Sequence, residues 1–129
     1  NDVLPKYFGS KASNFEKKMG LFIMDDMIEF LGQELLGSIW PDIIKILIQY
    51  VDNPSCEIRQ AASYGLGEFI KHTNNNYSVY AKDILDILYK GLKVQMGQEE
   101  EEEYHSAQDN VVTAIGKLIL HRGKEYKFI

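Results

Sequence analysis

Cysteine is nearly absent from this chain of 129 residues: Cys56 stands alone. It cannot form an internal disulfide, so a reducing compartment is the natural setting and a packed core must supply the stability. Long apolar runs are missing too. The best, 43–51, is shorter than a membrane span and is broken by Lys45 and Gln49. No secretory signal is visible. Basic charge is in deficit, with 14 Lys and Arg against 19 Asp and Glu and a formal net charge of −5. Phosphate recognition needs a basic stripe, so this balance argues against nucleic acid as a primary partner. Lys6, Lys11, Lys17 and Lys18 make the start locally basic but are scattered. A mildly acidic surface is better suited to basic protein segments.

Groups arranged for chemistry are also lacking. There is no glycine-rich phosphate loop, and no serine or cysteine stands beside a base with an orienting carboxylate. His72, His105 and His121 have no metal-ligand spacing; predicted helix ends, where the dipole favours cations, account for His72 and His121. Cys56 opens a predicted helix, where a thiol can be acidified, but a small buried residue is the plainer reading. The string Asp25-Asp26-Met27-Ile28-Glu29 superficially matches an acidic helix motif that binds magnesium-diphosphate. A second acidic motif and a larger helical barrel are missing, so a solvated helix face is expected. A deep pocket holding Asp25, Asp26 and Glu29 together would reopen the enzyme reading. No catalytic, cofactor or metal residue is assigned.

What the chain does contain is repetition. Asp42-Ile43-Ile44-Lys45-Ile46-Leu47 returns 41 residues later as Asp83-Ile84-Leu85-Asp86-Ile87-Leu88. Arg59-Gln60-Ala61-Ala62-Ser63-Tyr64-Gly65-Leu66-Gly67 returns 49 residues later as Gln108-Asp109-Asn110-Val111-Val112-Thr113-Ala114-Ile115-Gly116. A helix pair recurring with such a period marks an α-solenoid of the HEAT or armadillo type, whose members mostly bind other macromolecules.

Apolar periodicity predicts five helices and no strand. The first, 14–31, has Asn14 as its N-cap and an apolar stripe of Phe15, Met19, Phe22, Ile23, Met27, Phe30 and Leu31. Gly32 and Gly37 punctuate the connection to the second, which runs from about 38 to 51 with Pro41 in its first turn and burial on more than one side. Asp52-Asn53-Pro54-Ser55 is a turn, with Ser55 capping a third helix from 56 to about 73. There Ile58, Ala62, Leu66, Phe69 and Ile70 form one face, while Ala61, Ala62, Gly65 and Gly67 admit a close neighbour. Thr73-Asn74-Asn75-Asn76 breaks the chain before a fourth helix at about 78–96. The acidic run 99–103 reads as a solvated loop ahead of a fifth helix at about 104–121. Trp40, Tyr50, Tyr64, Phe69, Tyr80 and Tyr89 are expected in core or inter-repeat contacts, and Leu66 and Ile115 in the core. The fold class is therefore all-α, a HEAT-repeat solenoid of about two and a half repeats: a trailing second helix at 1–34, a repeat at 35–76, and a repeat at 77–129 with an enlarged acidic loop near 97–104. Neither end carries a capping pattern, so the chain is expected to be an excised piece.

Three strings in series resemble the importin-beta type of nuclear import receptor, in the importin-5 (karyopherin beta-3) branch. They are Phe22-Ile23-Met24-Asp25-Asp26-Met27-Ile28-Glu29, Arg59 to Gly67 as quoted above, and Asp109-Asn110-Val111-Val112-Thr113-Ala114-Ile115-Gly116-Lys117. The resemblance implies a non-enzymatic receptor of HEAT repeats that carries protein cargo through nuclear pores, shuttling between cytoplasm and nucleus, with release by Ran-GTP. The main Ran contacts would lie in other repeats. It further implies a concave side lined by second helices, with Glu57, Gln60, Glu68, Gln108, Asp109 and Lys117 as candidate partner contacts for basic protein cargo. Arg59 is implied to tie one repeat to the next. By the same analogy, a cleft between 43–51 and 84–92 is a candidate for the Phe-Gly repeats of nucleoporins. A HEAT scaffold of another complex is the alternative.

Overall fold

The computed structural model describes residues 8, 11–36, 39–72 and 80–126, and within these the secondary structure is five α-helices with no strand. They are α1 (Asn14–Leu36), α2 (Trp40–Tyr50), α3 (Cys56–His72), α4 (Ala81–Leu92) and α5 (Glu101–Tyr126). The expected connection through residues 73–76 lies outside the described residues, as does Gly37.

Local chemistry sets the boundaries. Ser13, not Asn14, caps α1. Its Oγ accepts from Glu16 N at 3.1 Å, and Glu16 Oε1 accepts from Ser13 N at 3.3 Å, a reciprocal capping box. The helix continues through Gly32 to Leu36. Pro41 stands in the first turn of α2, where its missing N–H has no intrahelical partner to lose. The turn before α3 is an Asx turn, with Ser55 N donating to Asn53 Oδ1 at 2.8 Å. Ser55 Oγ then lies 3.5 Å from Ile58 N, a weak cap. Further on, α4 stops at Leu92, four residues short of expectation, and α5 begins at Glu101. The run 99–103 is therefore only partly loop: Glu101, Glu102 and Glu103 form the first turn of α5, where the positive end of the helix dipole favours carboxylates. α5 also runs five residues past His121, so the dipole argument for that histidine fails.

The helices form two layers. α3 packs most extensively on α5 and α1, while α2 and α4 back onto α3 and α5. Contacts between α1 and α3, and between α3 and α5, advance in step along the chain: Lys18 meets Glu57, Asp25 meets Gly65, Arg59 meets Gln108 and Glu68 meets Lys117. These three helices thus run parallel, side by side. α2 with α3 and α4 with α5 are antiparallel pairs, the expected HEAT arrangement.

The core lies between the layers. Ile58, Ala62, Leu66, Phe69 and Ile70 on α3 are all buried, as their spacing predicts, against Ile43, Ile44 and Leu47 of α2, Ile84 and Leu88 of α4, and Val111, Ala114 and Leu118 of α5. Burying one such large side chain contributes about 1.5–3 kcal/mol. Gly65 and Gly67 let neighbours close in on both sides of α3. A Cβ at Gly65 would overlap Asp25 Oδ1 and sit 3.0 Å from Leu47 Cδ2, and one at Gly67 would sit 3.6 Å from Ala114 Cα. Trp40 stacks near Phe69 and Tyr80, whereas Tyr64 and Tyr89 stay exposed, against expectation. Ile115 is only half-buried.

The apolar stripe expected on α1 is not its core face. Leu21, Met24, Asp25 and Ile28 face the interior, while Phe15, Met19, Phe22, Ile23 and Phe30 are exposed and Met27 is half-buried. Leu31 lies outside the residues whose side chains are described. α1 is apolar on more than one side, and only one side has a partner among the described residues.

Candidate functional site

A groove of about 410 Å³ opens on the α1–α3–α5 layer, on the side away from α2 and α4. α1 contributes Lys18, Phe22, Asp25, Asp26 and Glu29; α3 contributes Glu57, Gln60, Ala61 and Tyr64; α5 reaches in with Asn110. Helical spacing explains the set. Residues 22, 25, 26 and 29 return at three- and four-residue steps, as do 57, 60, 61 and 64, so each helix turns one polar-aromatic face to the same furrow. Lys18 Nζ closes one end on Glu57 Oε2 at 3.2 Å.

Asp25 departs from the solvated face expected for its string. It is only 4% exposed, pressed over Gly65 because that residue lacks a side chain. Its Oδ1 is buried without a hydrogen-bond partner among the described residues. Burial, followed by the charges of Asp26, Glu68 and Glu29, lifts this carboxyl to about 8, so it holds its proton at neutral pH. Asp25, Asp26 and Glu29 do share one groove, but not the deep pocket that an enzyme reading would need. The groove is an open surface furrow, and among the described residues no three His, Cys, Asp or Glu side chains are grouped to hold a metal ion.

The six sequence-predicted contact residues divide in two. Glu57 and Asp109 are exposed and Gln60 is half-buried, and Glu57 and Gln60 line the groove. The others bond within the chain. Glu68 is 5% exposed and accepts from Lys117 Nζ at 3.0 Å, across the α3–α5 seam. Gln108 donates to Gly91 O at 3.1 Å and Leu92 O at 3.0 Å, satisfying carbonyls at the end of α4. Its Oε1 accepts from Arg59 Nε at 2.9 Å. Arg59, fully buried, also donates to Asn53 O at 2.8 Å and lies 5.8 Å from the Tyr104 ring centroid. It fixes the turn before α3 to the helix of the next pair, the inter-repeat tie that the resemblance implies. Nothing local in the sequence marks Phe22, Tyr64 and Asn110 as site residues; only the parallel register of α1, α3 and α5 brings them together.

Cys56 donates from its thiol to Glu99 Oε1 at 3.0 Å. Burial and that bond push the thiol up, outweighing Arg59, so it is less acidic than a free thiol. Glu99 Oε2 also accepts from Gly97 N at 2.9 Å, and Tyr104 donates to Val94 O at 2.8 Å, pinning the connection before α5 at both ends. Between α2 and α4, Gly91 lies close under Val51, and Ile48, Leu85 and Ile87 are partly buried beside exposed Tyr89.

The class these observations define is a helical-repeat protein of the HEAT type, built of stacked antiparallel pairs with a polar layer of second helices. Within that class the chain is similar to importins. It is 25% identical to human importin-4 over 81 residues and to mouse importin-4 over 84, which is 63% and 64% of this chain. It is 26% identical over 99 residues, 75% of this chain, to a probable importin-5 homolog of Dictyostelium discoideum. These stretches cover 8%, 8% and 9% of the relatives, so the chain spans less than a tenth of their length. No protein-family profile matches it. The similarity supports an importin-beta-type segment.

Proposed function

We propose that these helices are a segment of the curved wall of a nuclear import receptor, binding protein cargo on the α1–α3–α5 layer and releasing it when Ran-GTP binds elsewhere in the solenoid. The observation that carries this is the similarity to importin-4 and importin-5 relatives across a stretch folded as stacked helix pairs. The repeat boundaries proposed with it fall near residues 34 and 76. Glu57, Gln60 and Asp109 are the proposed contacts on the concave side, and basic segments of cargo are the partners their charge favours. Glu68, Gln108 and Lys117 serve the stack itself. The exposed rim of α2 and α4 around Tyr89 is the proposed place for Phe-Gly nucleoporin repeats. Many weak contacts on such a surface, summed over small rotations between repeats, would set the grip on cargo.

The experiment immobilises the receptor carrying this sequence and compares retention of a basic cargo with GTP-loaded and GDP-loaded Ran. Release by the GTP form alone supports a transport receptor. Retention with both forms favours the second reading, a HEAT scaffold of another complex.

A further inference from the structure

We infer that the groove between α1 and α3 is a socket for one long basic side chain, a lysine or arginine of an extended partner segment, with Asp25 at its floor as the counter-charge.

Three features of the furrow converge on that occupant. The first is the orphaned acceptor: Asp25 is 4% exposed, lines the groove, and leaves its Oδ1 without a hydrogen bond among the described residues. A buried polar atom in that state is destabilising until something donates to it. The second is the sign of the surrounding charge. From α1, Asp26 and Glu29 face the groove together with Lys18; from α3 come Glu57 and Tyr64, with Glu68 behind. Both cations nearby are engaged elsewhere, Lys18 on Glu57 and Lys117, from α5, on Glu68. That leaves Asp25, Asp26 and Glu29 with no bonded cation among the described residues. The third is shape: Phe22, 45% exposed, offers an apolar face to an aliphatic stem across the furrow from Tyr64, 38% exposed, whose ring centroid already has Lys117 Nζ at 5.8 Å, while the charged head reaches the carboxylates. Apolar walls over an acidic floor suit a lysine or arginine better than a hydrated metal ion.

Occupancy carries a signature that surface attraction does not. Asp25 is protonated at neutral pH, and an ammonium or guanidinium beside it favours the ionised carboxylate. Seating the side chain therefore expels a proton to solvent, and affinity rises with pH until Asp25 is ionised in the free chain. Ordinary attraction to Asp26, Glu29 and Glu57, already charged, releases none.

The inference deepens the cargo-binding reading but is tested apart from it, because the experiment involves no Ran and no pore. The probe is a fluorescent Gly-Ser-Lys-Arg-Lys-Ser-Gly peptide, titrated onto the whole chain by calorimetry in two buffers of different ionisation enthalpy. The expected result is binding with release of close to one proton at pH 7. Asp25→Asn should abolish the proton release and weaken binding at least about tenfold at pH 8. Glu102→Gln with Glu103→Gln, which removes charge from the far end of α5, should change affinity less than twofold. A peptide with norleucine and citrulline for its basic residues should not bind. The inference is overturned if the parent does not bind, if binding releases no proton, or if Asp25→Asn binds like the parent while the Glu102/Glu103 variant is the weaker one. That last pattern would mean diffuse charge attraction. Loss of the socket in this assay, with Ran-dependent release intact in the receptor, would sink the inference and leave the transport reading standing.

Discussion

α3 and α5 are written from the same block of sequence, yet among the described residues only α3 has a helix on either side in its layer. Residue for residue at the 49-residue offset, Ala62 and Val111 are both buried, as are Phe69 and Leu118 and Gly65 and Ala114. These positions face the paired outer helix and the preceding helix of the layer, which both copies possess. The others part company. Ser63 is fully buried and Val112 is 56% exposed; Gly67 meets Lys117 and Ala114, while a Cβ at Gly116 would meet nothing within 4 Å. Ile70 is buried and Ile119 only half-buried. The difference assigns each residue of the block a direction: one set serves the pair it belongs to, the other serves the next pair along. A solenoid's stability is divided in this way, between what a repeat holds alone and what a neighbour adds.

The largest expected contrast is at Leu66 and Ile115, which share a register position. Leu66→Asp places a carboxylate at a fully buried site and should cost more than about 4 kcal/mol, enough to abolish the helical melting transition. Ile115→Asp, at a half-buried site, should cost roughly half as much and leave a folded chain at low temperature. Equal melting of the two variants by circular dichroism would mean the two helices are not in different environments.

Next comes the tie between the pairs. Arg59→Ala leaves Gln108 Oε1 and Asn53 O without their donor and empties a buried volume, an expected loss of about 3 kcal/mol. Gln108→Ala leaves the buried Arg59 Nε without its acceptor and removes a donor from Gly91 O and Leu92 O, and should cost about 2 kcal/mol. A double-mutant cycle by urea unfolding should return a coupling of about 1 kcal/mol; no coupling would remove the tie.

The α1–α3 seam differs from the α3–α5 seam in having an unsatisfied acid where the latter has the Lys117–Glu68 pair. Because Asp25 binds its proton more tightly folded than unfolded, the folded chain holds more protons between the ordinary aspartate range and about pH 8. Its contribution to stability is therefore greatest near pH 4 and is lost as pH rises, the loss being complete above about 8. At pH 8, Asp25→Asn should be the more stable protein by something on the order of 2–3 kcal/mol, and the gap should close towards pH 5. A gap that does not change with pH would mean the carboxyl is ionised and its burial is compensated.

Much of this fold is legible in the sequence because α3 obeys one period on one face; the spacing of Ile58, Ala62, Leu66, Phe69 and Ile70 leaves a single direction for the core. The turn at Asn53 and Ser55 is legible for the same kind of reason, since those side chains bond their own backbone. α1 is misread because its bulkiest residues lie off the buried side: Phe15, Phe22 and Phe30 outweigh Leu21, Met24 and Ile28 in any pattern judged by apolar size. The run 99–103 reads as loop from its charge, while the helix dipole makes its last three carboxylates a favourable start for α5. The groove could be read only in fragments, Glu57 and Gln60 as contacts that the resemblance implies and Asp25, Asp26 and Glu29 as one acidic string. Its residues are 18 to 110 in the chain, and nothing local records that Gly65 opens the space into which Asp25 sinks.

The finest test of the comparison uses the two glycines at the end of each block. In an exposed helix interior, alanine is about 1 kcal/mol better than glycine. At Gly116 that gain has nothing to oppose it, since the added methyl enters open space, and Gly116→Ala should raise the melting temperature by about 4 °C. At Gly67 the same methyl arrives 3.2 Å from Lys117 Cδ and must shift the side chain that donates to Glu68. The helix gain is then spent on displacing a buried ion pair, so Gly67→Ala should be neutral or destabilising. A stack carried further along α5 would reverse the first result, because a neighbour seated on that face would approach Gly116 as closely as α5 approaches Gly67. If the two substitutions stabilise the chain equally, the seam at Gly67 is looser than its distances imply, and the division of the block into inward and onward positions fails.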